Sequence, residues 1–193
     1  IILGVILLVV LSTRTIVRNA NWSDTLTLFT HDSMTSNNFN IEENLGTEYT
    51  NRAQYKLALQ HYLKAVEYSP NERNLLNTAA TYLYFGDVTN AKKYIKMAKA
   101  HPHKNIKDYL QYSYNNGALF LILHYPQKAP EYITYALQDF PNDPGLWGNL
   151  AIAKYTMKDQ KGALAAAKKA KELLPNEKTN YLYTQISTNQ PLD

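Results

Sequence analysis

Residues 53–66, AQYKLALQHYLKAV, place apolar side chains at helical spacing and set Lys56, Gln60 and Lys64 on the opposite face. The pattern predicts an amphipathic helix that closes at Pro70, because proline lacks an N–H and its ring clashes with the preceding turn. Small residues recur where a solitary helix would carry large ones: Gly46, Ala58 and Ala65 stand amid Tyr49, Tyr62 and several leucines. Helix axes approach to about 8 Å only where side chains are small. The spacing therefore predicts a second helix packed antiparallel on the first, with Tyr49 and Tyr62 filling the space that remains.

The same offsets return along the chain. Residues 144–177 repeat them with Trp147, Leu150, Ala151, Ala163, Ala170 and Pro175, and with Ala167 in place of the larger aromatic; residues 110–143 repeat them through Gly117, Phe120, Ala129, Ile133, Ala136 and Pro141. Residues 73–106 form an irregular copy with Ala79, Ala80, Tyr82, Gly86, Ala91, Ile95, Ala98 and Pro102. Its turn comes one residue early, its last helix is one residue short, and about three residues of slack precede the next copy. Leu45-Gly46, Tyr49, Ala58, Tyr62 and Pro70 resemble the tetratricopeptide repeat (TPR), whose period is about 34 residues and whose motif runs W-x2-L-G-x2-Y, A-x3-F, P. The resemblance implies an all-α, right-handed TPR α-solenoid of four helix-turn-helix repeats, 39–72, 73–106, 110–143 and 144–177. A capping helix and tail over 178–193 would follow, with Tyr181, Leu182 and Ile186 turned inward.

The chain opens on IILGVILLVVL, eleven apolar residues that at about 1.5 Å each cover half of a hydrocarbon core of about 30 Å. Neither the Met nor the basic start of a signal peptide is present. Residues 1–17 are read as the C-terminal part of a transmembrane helix with its basic flank, a helix begun before Ile1. Residues 18–38 are a linker in which Asp24 opens a short helix to about Met34, with Trp22, Leu26, Phe29 and Met34 docking on the first repeat. Arg14, Thr15, Arg18, Asn19, Trp22, Asp24, Leu28 and Phe29, between an apolar helix and repeats, resemble the C-terminal end of repeat-bearing GT-C, protein O-mannosyltransferase-like membrane glycosyltransferases. In that family the catalytic carboxylates lie near the N-terminal membrane helices, so the resemblance carries no catalytic residue onto this chain.

Composition narrows the chemistry. With 45% apolar and 19% charged residues and only seven Gly, the chain is that of a folded protein. Sixteen Tyr suit half-buried positions where the ring packs and the hydroxyl reaches a partner. No Cys means no disulfide, thiolate metal site or cysteine nucleophile. A net charge of +4 falls short of a dedicated nucleic-acid binder, and no nucleic-acid partner is expected. His31, His61, His101, His103 and His124 are scattered, with His101 and His103 straddling Pro102 at a helix end without a third ligand. Phosphate-loop, dinucleotide and hydrolase motifs are absent from the sequence, so neither a cofactor nor a catalytic residue is expected. Lys92, Lys93, Lys96, Lys99, Lys104 and Lys107 belong on an outward second helix and its exit, a solvated surface or one drawn to lipid head groups.

First helices of such repeats line a concave groove through their second, fifth, ninth and twelfth positions. Those are Asn40, Glu43, Thr47 and Thr50 in the first copy, Asn74, Asn77, Thr81 and Tyr84 in the second, and Gln111, Tyr114 and Leu121 in the third. Gly145, Gly148, Ile152 and Tyr155 make the fourth shallow and apolar. Amides and phenols on a rigid floor suit a protein or extended peptide, or a glycan or glycan acceptor. Glu43 stands where carboxylate-clamping repeats carry Lys, which disfavours that ligand. Two functions follow: a membrane-tethered, non-catalytic interaction module, or the acceptor-handling region of a GT-C-type glycosyltransferase whose catalytic part lies upstream. Arg14 and Arg18 favour cytoplasmic repeats by the positive-inside rule. The transferase resemblance implies the extracytoplasmic side, which is the expectation carried forward.

Overall fold

The computed structural model describes residues 2–21, 24–36, 38–100 and 105–192, and among them only helices and turns occur. The chain divides into two compact units, one ending at Asn74 and one beginning at Leu75.

The first unit holds α1 (Ile2–Asn21), α2 (Thr25–Ser33), α3 (Phe39–Asn51) and α4 (Tyr55–Tyr68). The apolar side chains of α1 from Ile2 to Leu11 are all solvent-facing, Leu3 at 81% and Leu11 still at 49%. From Ser12 onward the helix is polar or mixed, and among the described residues no helix is long and apolar enough to cross a membrane. Asp24 caps α2, accepting from the Thr27 N–H at 3.0 Å, and its other oxygen takes Arg52 Nη2 at 2.8 Å, which ties α2 to the end of α3. The Thr27 amide first, then the Thr27 hydroxyl and Arg52, hold this carboxyl below its usual range. Met34, expected to dock, is 78% exposed, since it lies past the helix end. Trp22 falls outside the described residues.

In α3 and α4 small residues do what the pattern requires. A Cβ added to Gly46 would stand 2.7 Å from Tyr62 Cδ1, so the Tyr62 ring occupies the space a side chain would need. Ala58 and Ala65 are fully buried beside it. Ala53, at φ 55°, turns the chain between the two helices, with Gln54 N–H donating to the Tyr49 carbonyl at 2.8 Å. Inside the pair, His61 Nδ1 lies 2.6 Å from Glu42 Oε2 and the His61 ring stacks on Tyr49 at 5.1 Å.

The second unit takes most of α5 (Glu72–Leu83), then α6 (Val88–Ala100), α7 (Ile106–His124), a 3-10 turn at Pro126–Lys128, α8 (Ala129–Asp139), α9 (Pro144–Thr156), α10 (Gln160–Leu173) and α11 (Glu177–Ser187). α4, α8 and α10 each stop two residues before Pro70, Pro141 and Pro175. First helices stack on first helices: a Cβ on Gly117 of α7 would meet Leu83 of α5 at 2.5 Å, and α7 packs on α9. Second helices stack likewise, Lys92 and Lys99 of α6 reaching Glu131 and Asp139 of α8 at 2.7 and 2.5 Å. The slack expected after the irregular copy is helical: α7 starts at Ile106 and gains an extra turn. α11 caps the end through an Asn176–Thr179 capping box. Its buried side chains are Thr179, Leu182 and Ile186, whereas Tyr181, expected inward, is 43% exposed.

Candidate binding face

The open side of the second unit's first helices is built on one buried carboxylate. Asp143 precedes Pro144 and caps α9, its Oδ1 accepting from the Leu146 N–H at 3.0 Å. Its Oδ2 takes Gln111 Nε2 at 2.7 Å and Asn115 Nδ2 at 3.2 Å, both from α7. Asn149 Nδ2 of α9 then donates to Asn115 Oδ1 at 3.3 Å. The result is a chain of amides crossing from one first helix to the next, anchored at Asp143 and open at Gln111. Beside it α9 is shallow: Gly145 is exposed, and a Cβ on Gly148 would meet nothing nearer than Leu182 at 3.7 Å. Ile152 and Tyr155, one and two turns further on, are half-buried.

The floor residues expected from the sequence divide into three groups. Asn40, Thr47 and Gln111 are exposed; Glu43, Thr50, Asn77, Tyr84 and Tyr155 are half-buried. Thr47 shares a hydrogen bond with Tyr62 at 3.1 Å, and Glu43 has Arg73 Nη1 at 3.6 Å. Burial pushes the Glu43 carboxyl up, against the opposing pull of Arg73. Tyr84 meets Phe120 edge-on at 4.8 Å, and Tyr155 donates to the Gln190 carbonyl at 2.8 Å, so the tail beyond α11 covers its hydroxyl.

The third group, Asn74, Thr81, Tyr114 and Leu121, is buried and presents nothing to a ligand. α5 begins at Glu72, one residue ahead of a count of 34 from Phe39, so Ala79 and Ala91 take the places of Gly46 and Ala58. One residue rotates a helix by about 100°, which turns Asn74 and Thr81 off the open face. Asn74 Nδ2 donates instead to the Ser69 and Ala65 carbonyls at the end of α4, at 2.9 and 3.3 Å. Tyr114 points to α8, its ring edge-on to Tyr132, Tyr135 and Phe140 and its hydroxyl donating to Asp139 at 2.6 Å.

Asn115, Asn149 and Asp143 were not expected on the floor. Their signal is present: two asparagines 34 residues apart, and an aspartate before a proline at a helix start. Within the basic run, Lys92 and Lys99 are occupied, by carboxylates and by the Tyr135 ring at 5.5 and 5.8 Å. His101, Pro102, His103 and Lys104 lie outside the described residues.

Paired helices closed by prolines, glycine against tyrosine inside a pair, and first helix stacked on first helix settle the architecture. Its fold is the tetratricopeptide repeat. The repeats superpose on the Cut9–Hcn1 hetero-tetramer of the APC/C with a TM-score of 0.50 at 14% identity, over 82% of this chain and 32% of that one. YrrB, described as a TPR protein with an unusual peptide-binding site, gives 0.49 at 16% identity over 83% and 82%. In sequence, the chain is similar to human protein O-mannosyl-transferase TMTC3, 25% identical over 215 aligned residues. That alignment takes in 86% of this chain and 24% of the transferase, so the chain spans about a quarter of that relative's length. No family model matches.

Proposed function

We propose that these repeats form a non-catalytic interaction module that takes an extended segment of a protein partner on the open face of α7 and α9. The observation that carries this is the exposed Gln111 and the half-buried Asn115, both held by Asp143, beside the open backbone at Gly148. Amides offer both donors and acceptors, which a peptide backbone matches, and a glycine lets that backbone approach closely. A peptide array probed with the full chain in nonionic detergent tests it. Peptides retained by the wild type are expected to be lost with Gly148→Trp, which fills the open backbone there, and weakened about tenfold with Gln111→Ala. Retention unchanged by both variants overturns the assignment.

The tether is part of the same reading. The exposed apolar side chains of α1 between Ile2 and Leu11 support insertion into a bilayer; the extracytoplasmic side for the repeats rests on the transferase resemblance alone. Flotation with phosphatidylcholine vesicles is expected for the wild type and lost for Leu7→Asp with Val10→Asp; equal flotation overturns it.

The similarity to TMTC3 favours a second reading, in which this face holds acceptor polypeptide for a mannosyl transfer performed elsewhere in a longer protein. Mass spectrometry of acceptor O-mannosylation by the complete protein separates the two. Loss of transfer with Gly148→Trp, at normal membrane insertion, supports acceptor handling, whereas undiminished transfer refutes it.

A further inference from the structure

α7 carries two apolar stripes. One, through Leu110, Tyr114, Gly117 and Leu121, is buried in the repeat. The other runs through Tyr109, Tyr112, Asn116, Leu119 and Leu123 and faces solvent, with Tyr112 at 73% and Leu123 at 76% exposure. Its steps of three, four, three and four residues are those of a helix–helix seam. A solvated helix face has no need of that spacing, and no charged side chain lies on the seam. Burying it against another helix therefore desolvates no ion.

The order of residues selects the occupant. Asn116 stands at the centre, two tyrosines precede it and two leucines follow. Antiparallel pairing of this stripe with itself about Asn116 sets each Tyr109 against Leu123 and each Tyr112 against Leu119 of the other copy, so bulky rings meet smaller branched chains along the whole length. Parallel pairing would crowd four tyrosines at one end and splay the helices. At the centre the two Asn116 amides meet, each offering a donor and an acceptor to the other. With Tyr112 and Leu123 mostly exposed and Tyr109 and Leu119 about half exposed, even complete burial of the stripe only reaches the ~1,000 Å² at which specific interfaces begin, so the pair is weak. We propose that two copies of this chain pair antiparallel along α7 about a two-fold axis at Asn116, as a weak, concentration-dependent dimer. This does not rest on the peptide-binding reading, which uses the Gln111–Asn149 side of the same helix.

The absence of Cys from the sequence makes the test direct. The full chain is prepared in nonionic detergent with one Cys at a time and oxidised. Asn116→Cys is expected to yield a disulfide-linked dimer. Tyr112→Cys, whose copies stand roughly 12 Å apart along the pair by helical rise, is expected to yield at least tenfold less. Tyr109→Cys mixed with Leu123→Cys should cross-link although neither does so alone, and Leu123→Glu added to Asn116→Cys should abolish cross-linking with the circular dichroism unchanged. Equal yields from all single-Cys variants, as in random micellar contact, overturn the proposal. So does a strong product from Tyr112→Cys and Leu123→Cys alone, the mark of parallel pairing. A chain still monomeric by sedimentation at 100 µM, with no Asn116→Cys product, assigns the seam to a different protein and equally refutes it. Gly148→Trp should leave the Asn116→Cys dimer intact, which separates this result from failure of the binding face.

Discussion

Asn115 and Asn149 lie 34 residues apart on consecutive first helices and join side chain to side chain at 3.3 Å. Both depend on Asp143, which holds Asn115 and Gln111 with one oxygen while capping α9 with the other. Asp143→Ala removes the cap, typically about 1 kcal/mol, and leaves two amides without their acceptor, for a combined loss of about 2 kcal/mol. Asp143→Asn keeps the capping oxygen but turns an amide N–H2 toward the Gln111 and Asn115 donors, so it should recover only the cap's share, about half of the loss. Urea midpoints of the two variants check the difference.

Gly46 and Gly148 predict opposite outcomes for the same substitution. A Cβ at Gly46 enters the Tyr62 ring at 2.7 Å, and a ring held inside a helix pair cannot swing away as a flexible chain end can. Gly46→Ala should destabilise by about 1–3 kcal/mol. At Gly148 the nearest atom is 3.7 Å away, an ordinary contact, and Gly148→Ala should stabilise by up to about 1 kcal/mol through helix propensity. Thermal melts of the two variants should move in opposite directions.

These glycines also mark how far the sequence could be read. Gly46, Ala58, Tyr62 and Pro70 are legible because close helix approach admits few residue types, so spacing alone yields the pairs and their ends. Facing is less legible. Counting from Phe39 puts Asn74 and Thr81 on the open side, and a single residue lost between copies rotates them into the core. Tyr114 shows the opposite difficulty: counted in the right place, it is buried because Tyr132, Tyr135 and Phe140 surround its ring. Which neighbour a side chain meets depends on helix lengths, and α7 absorbed its slack as an additional turn. Asn115 and Asn149 stand outside the motif that defines the repeat, so only their 34-residue spacing marks them.

His61 and Glu42 form the polar centre of the first helix pair, 2.6 Å apart, with the Glu42 side chain 6% exposed and that of His61 18%. Lys64 Nζ lies 3.8 Å from the other oxygen of this carboxylate. His61→Ala removes the hydrogen bond and the ring stacked on Tyr49, and should destabilise the pair by about 2–4 kcal/mol by stranding a buried carboxylate. Exchanging both residues, Glu42→Leu with His61→Leu, should restore most of the loss, because no charge is then left in the core. Guanidinium titrations of the single and double variants test this.

Above pH 10 the second unit should weaken through Tyr114. Burial first, and then the hydrogen bond to the Asp139 carboxylate and that charge itself, push its phenol far above the ordinary 10.0. Burial pushes Tyr132 up as well. A phenol whose folded pKa lies above its unfolded one contributes stability that is fully present below the unfolded value. That stability is lost as pH rises, because the unfolded chain releases a proton the folded chain retains. Between pH 9 and pH 11 the wild type should therefore lose stability steadily. Tyr114→Phe is expected to be less stable at pH 7 by about 1–2 kcal/mol, for one lost hydrogen bond to a charged acceptor. Its stability should also fall less steeply over that window, since the most strongly displaced of the raised phenols is gone while Tyr82 and Tyr132 remain. Urea midpoints at pH 7, 9 and 11, followed by circular dichroism, measure both effects, and parallel slopes for wild type and variant would show that Tyr114 does not carry the alkaline loss.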